Sequence, residues 1–214
     1  MNILVTVILT LTFLTGSYTD NKYEKAMKQN LEKIGECKTA GDYINVANNF
    51  ERIALAENDK WLPYYYDSFL YVLASFADSS KTQRDIYLDK AVESVNKADS
   101  LDPDNSEIYT LKGMISQARM QIDPMNRWQK YGAESNNNFQ KAMEIDSLNP
   151  RPEYLIGVGV YYTPEQFGGG SANAKPILER SWKKYGEFVP ANDLMPNWGK
   201  NQLEKYLDQI NQKK

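Results

Sequence analysis

Helix-breaking residues recur along this chain at near-regular intervals, and between them apolar residues return every three or four positions rather than every two. The breakers are Lys38-Thr39-Ala40-Gly41-Asp42, Asp78-Ser79-Ser80, Asp102-Pro103-Asp104-Asn105, Leu148-Asn149-Pro150-Arg151-Pro152 and Phe167-Gly168-Gly169-Gly170-Ser171. Proline lacks the amide hydrogen that a helix interior uses, and glycine loses the most backbone freedom there, so each group ends one helix before the next begins. Trp61, Tyr65, Phe69, Val72 and Phe76 share one stripe, as do Leu88, Ala91, Val95 and Ala98. This pattern predicts helices over 22–38, 42–57, 60–77, 82–100, 105–120, 128–147, 152–162, 172–184 and 197–211, no strand, and hence an all-α fold.

The helices also repeat. Ala91, Val95 and Ala98 precede Pro103; Ser135, Phe139 and Ala142 stand at the same spacing before Pro150; Ala174, Leu178 and Ser181 form a third copy. Small residues let the second helix of a hairpin approach its neighbour, and the larger residue fills the gap. Tyr109 with Gly113 supplies the aromatic and the glycine where helices cross.

On these residues the chain resembles the tetratricopeptide-repeat family, whose units are stacked helix-turn-helix hairpins. The best match is 85–120, with weaker copies from Gly41 through Phe50, at Phe139 with Ala142, and at Ala174 with Leu178 and Ser181. The resemblance implies a solenoid of about four hairpins, closed by a C-terminal cap helix carrying Trp198, Leu203, Tyr206, Leu207 and Ile210. Phe50, Val95, Phe139 and Leu178 fall 45, 44 and 39 residues apart, against about 34 in a regular unit. The excess is expected in joints at 78–83, 121–130 and 163–171.

Ile3 to Leu14 carry no charge, and small and polar residues follow from Thr15 to Asp20. Twelve helical residues reach only ~18 Å, too short for a hydrocarbon core of ~30 Å. The run is therefore expected to be a signal peptide over 1–19, which directs export, most simply to a periplasm, without a stable membrane anchor. Residues 20–214 are expected to form one repeat domain.

Composition narrows the chemistry. The 214 residues include no histidine and a single cysteine, Cys37, so histidine-based triads, histidine metal sites and an internal disulfide are excluded. With 25 basic against 28 acidic residues, nothing favours nucleic acid. Acid–base catalysis would have to use carboxylates alone, and those at Asp99, Asp102, Asp104, Glu144 and Asp146 sit in helix-ending turns where they serve the backbone. No catalytic residue, metal ligand or cofactor is expected.

In the repeat family the first helix of each unit lines a concave groove, and register from Trp61, Tyr109 and Tyr154 then points to Tyr66, Phe69, Thr110, Met114, Gln117, Leu155 and Tyr162. Such a groove is neutral and aromatic, suited to a peptide or an apolar molecule and not to an acidic C-terminus. Gly168, Gly169 and Gly170 permit a left-handed turn and leave amides at a helix start, where an anion is received when they are free. The stretch around them also resembles the periplasmic repeat companions of TRAP-type transporters, which implies a loop shaping a ligand opening or a docking edge. The expectation is a non-catalytic exported scaffold binding a protein or peptide on its concave face; the alternative is a periplasmic small-molecule-binding companion of a solute transporter.

Overall fold

The computed structural model describes residues 13–212, with 13–20 described by backbone alone. Nine α-helices follow one another among the described residues: α1 (Phe13–Ile34), α2 (Ala40–Ala56), α3 (Trp61–Ala77), α4 (Lys81–Leu101), α5 (Ser106–Ile122), α6 (Pro124–Ile145), α7 (Arg151–Tyr162), α8 (Ser171–Glu187) and α9 (Lys200–Gln212). The fold is all-α, and no described residue forms a strand. The leader expected over 1–19 rests on an apolar run that falls almost wholly before residue 13, outside the described residues. No helix among the described residues is long and apolar enough to cross a membrane.

Local chemistry explains the helix ends. The Thr39 hydroxyl accepts from the Asp42 amide at 3.2 Å while the Asp42 carboxylate accepts from the Thr39 amide at 2.9 Å, a reciprocal cap on α2. Ser80 caps α4 through the Gln83 amide, and Asn105 caps α5 through the amides of Glu107 and Ile108. The joint expected over 121–130 is shorter than the spacing suggests, because only Asp123 separates α5 from α6. Pro124 sits in the first turn of α6, where a missing amide hydrogen costs nothing, so the extra residues extend a helix rather than a loop.

Each helix packs on its neighbours in the chain, most extensively α2 on α3, α3 on α4, α5 on α6 and α7 on α8, with α1 on α2, α4 on α5 and α9 on α8. A Cβ on Gly113 would lie 2.4 Å from the Phe139 ring, and one on Gly157 would lie 2.4 Å from Leu178. Each glycine is thus a notch for the large residue of the paired helix. Ser68 donates to the Ala91 carbonyl and Ser106 to the Ala142 carbonyl, both at 2.8 Å, so the seams between helices are also hydrogen-bonded. Because α3 also packs on α5 and α5 on α7, these three helices make one continuous face.

Candidate functional site

The face of α3, α5 and α7 is not bare. The chain leaves α8 at Phe188 and crosses that face as a non-helical strap over 188–199 before entering α9. The Tyr66 hydroxyl donates to the Leu194 carbonyl at 2.7 Å, the Tyr185 hydroxyl donates to the Trp198 carbonyl at 2.9 Å, and the Phe69 and Trp198 rings stack with centroids 5.0 Å apart. Leu194 and Pro196 are buried against the helices, while Val189 and Asn192 face outward.

The hub beneath the strap is Arg151, the first residue of α7 and 0% exposed. Its guanidinium reaches Glu107 Oε1 at 2.7 Å, donates to the Pro196 carbonyl, and lies 4.8 Å and 5.3 Å from the ring centres of Phe188 and Trp198. One cation therefore grips both ends of the strap. The Trp198 indole donates to the Tyr65 hydroxyl at 2.9 Å, Tyr65 donates to Glu107 Oε2 at 3.4 Å, and the Asn149 amide donates to Glu107 Oε1 at 2.9 Å. Burial pushes the Glu107 carboxyl upward, and the neighbouring Arg151 charge opposes that rise.

Two cavities flank the strap. The larger, about 680 Å³, is walled by Tyr23, Glu24 and Lys28 of α1, Asp59 and Lys60 of the α2–α3 turn, Trp61 and Leu62 of α3, and Asn192 to Met195 of the strap. Its size falls within the range of small-molecule sites. The Lys60 ammonium lies 4.9 Å from the centre of the Tyr23 ring, and Lys28 pairs with Asp193 at 3.3 Å across the rim. Burial, with the charges of Glu57, Asp59 and Glu24, pushes the Tyr23 phenol up to about 12, so it stays protonated at neutral pH. The smaller cavity, about 290 Å³, lies on the strap's other side against Ser106, Glu107, Asn149, Phe188 and Pro196, and Met195 lines both.

Most of the residues expected to line an open groove are covered. Tyr66, Phe69, Met114 and Leu155 are buried, and Thr110 is fully buried with its hydroxyl donating to the Ser106 carbonyl. Strap and helix packing closes the surface that the register argument leaves open. Gln117 is half-buried and donates to the Leu155 carbonyl at 3.1 Å. Of the seven, Tyr162 alone is largely exposed, at 69%, where it joins Tyr161 and Tyr206 in a cluster of edge-to-face rings away from the strap.

Gly168 and Gly170 do adopt positive φ, at 83° and 91°. Their amides are not open to an anion, however: those of Gly168, Gly169 and Gly170 bond to the carbonyls of Glu165, Pro164 and Val160. The loop closes on itself, as a structural turn does.

The cleft itself escapes the register argument, since Tyr23, Lys28, Lys60 and Met195 come from segments far apart in the chain. The strap does leave a trace in the sequence. Leu194, Met195 and Trp198 are large apolar residues in a stretch broken by Pro190 and Pro196, and apolar side chains in a non-helical segment need a surface to cover.

No family model matches the chain, and no curated protein matches it. Among solved structures it is similar to the HusA haemophore from Porphyromonas gingivalis, with 31% identity over 89% of this chain and 94% of that one and a TM-score of 0.79.

Proposed function

Since the chain belongs to the family of the HusA haemophore, we propose that it is a non-catalytic haem-binding protein and that the cleft beside the strap is its haem site. The observation that carries the location is the cleft of about 680 Å³ whose walls combine the aromatic rings of Tyr23 and Trp61, the apolar side chains of Leu62, Leu194 and Met195, and the ammonium groups of Lys28 and Lys60. A flat apolar macrocycle bearing two carboxylates calls for those three features. On this reading the helix pairs are divergent tetratricopeptide-like units, and the leader over 1–19 exports the carrier to meet its cargo outside the cytoplasm.

The chain has no histidine, the commonest axial ligand, so grip on the iron falls to oxygen or sulfur. The donors lining the cleft are Tyr23, whose proton is held tightly, the carboxylates of Glu24, Asp59 and Asp193, and the Met195 thioether. Recognition then rests on the macrocycle and its carboxylates more than on the metal. Lys28, already paired with Asp193, exchanges that partner for a propionate, while Glu24 and Asp59 limit how much negative charge the site tolerates.

The peptide-scaffold reading seats its partner on the face of α3, α5 and α7, whose α3 part the chain's own strap covers, so haem binding takes precedence. Titration with haemin, followed by absorbance in the Soret region, tests the proposal. A saturable shift is expected, weakened by Trp61→Ala; absence of any shift sinks the reading.

A further inference from the structure

We propose that the strap over 188–199 is the gate of the cleft: haem enters and leaves as the strap lifts from α3, and Tyr66 is the positioning residue that sets how often it lifts. This rests on the haem reading above and adds how that site is opened.

The manner of attachment supports it. Pro190 and Pro196 have no amide hydrogen, and among the described residues the backbone pairing between 189 and 198 is the turn from the Met195 amide to the Asn192 carbonyl at 3.2 Å, while Phe188 and Gly199 at the ends bond into α8 and α9. Apart from the ring contacts of Phe188 and Trp198 at its roots and the Trp198 indole bond to Tyr65, what holds the strap is side-chain donation into its carbonyls by Tyr66, Arg151 and Tyr185. Segments tethered in this way open at lower free energy than helices, whose backbone bonds break cooperatively.

The tethering is also uneven. Arg151 is fully buried and anchors Phe188, Pro196 and Trp198, so the two roots of the strap are firm. The lip at 191–193 is exposed, and its tie to α1 is the Lys28–Asp193 pair, whose side chains are 48% and 84% exposed. An exposed pair of this kind contributes ~0–1 kcal/mol. Between lip and roots stands the Tyr66–Leu194 bond, buried and on the cleft side. Releasing it frees Leu194 and Met195, which wall the larger cavity, and Met195 also lines the smaller one.

Tyr66→Phe removes that bond and keeps the ring that stacks on Phe50. The comparison variant is Ser68→Ala, which loses a buried hydrogen bond from the same helix to the Ala91 carbonyl, in the seam with α4 and away from the strap. Rapid mixing with haemin gives the association rate, and transfer to an excess of a competing apo-haem protein gives the dissociation rate. Tyr66→Phe is expected to raise both rates by a common factor, up to about tenfold for the loss of one hydrogen bond. Amide hydrogen exchange over 189–198 should quicken in the haem-free variant, and Ser68→Ala should leave rates and strap exchange as they are. Should Tyr66→Phe not fold, Tyr185→Phe, which frees the Trp198 carbonyl, takes its place. Unchanged rates in Tyr66→Phe, or equal changes in Ser68→Ala, overturn the gate while leaving haem binding intact. A wild-type protein that takes up no haem overturns the haem reading, and the gate with it.

Discussion

Arg151 and Glu107 meet at 2.7 Å in the interior, the arginine fully buried and the glutamate nearly so, and this ion pair joins α7 to α5 directly beneath the strap. Two buried charges stabilise little by themselves, since each has left water, but removing one strands the other. Arg151→Met is therefore expected to cost ~3–5 kcal/mol in urea unfolding, with Arg151→Met/Glu107→Gln recovering part of it. A loss below about 1 kcal/mol would mean that the strap is held without its hub.

Gly113 and Gly186 separate close packing from open helix surface. The Phe139 ring occupies the place of a Cβ at Gly113, whereas nothing lies within 4 Å of one at Gly186. Gly113→Ala should destabilise by ~1–3 kcal/mol through overpacking, and Gly186→Ala should stabilise by up to ~1 kcal/mol through helix propensity. Thermal melts of the two variants moving in the same direction would contradict the notch-and-knob account of the helix pairs.

Asp67 makes stability depend on pH in an unusual sense for a carboxylate. Burial pushes its carboxyl up to about 7, against the opposing hydrogen bond from Ser94, and its Oδ1 has no hydrogen-bond partner among the described residues. The folded state thus keeps a proton that the unfolded chain releases near pH 4, so this group's contribution is fully present at acid pH and declines between about 4 and 7. Compared with wild type, Asp67→Asn should gain stability progressively across that window, by as much as ~1.4 kcal/mol per pH unit, and no further above it. A constant difference from pH 4 to 8 would show that Asp67 is ionised in the folded protein.

Haem and iron-free porphyrin should bind with dissociation constants within about tenfold of each other, ~1.4 kcal/mol, because the cleft offers aromatic walls and ammonium groups but no histidine. Trp61→Ala should weaken both equally. Competition measured by fluorescence quenching checks this, and a porphyrin that binds a hundredfold more weakly than haem would place the main grip on the iron.

Tyr162→Ala should leave both fold and haem affinity essentially unchanged, since the side chain is mostly exposed and stands apart from the cleft. Calorimetric titration reads this directly. A large loss of affinity would move the site to the cluster of Tyr161, Tyr162 and Tyr206.

The sequence by itself determines the helices and their pairing. Helix ends depend on residues within a few positions, such as Thr39 with Asp42 or Asn105 with Glu107, and small-residue stripes such as Ala91, Val95 and Ala98 mark a close seam whatever lies across it. The surface left over is another matter. Whether Tyr66 and Phe69 face solvent depends on a segment more than a hundred residues away, and the path of that segment follows from where Arg151, Tyr185 and Glu107 come together. The cleft likewise draws Tyr23, Trp61 and Met195 from three distant stretches. Local backbone chemistry has a range of one helical turn and can be read along the chain, while long-range burial is a property of the assembled surface and is decided only when the helices have packed.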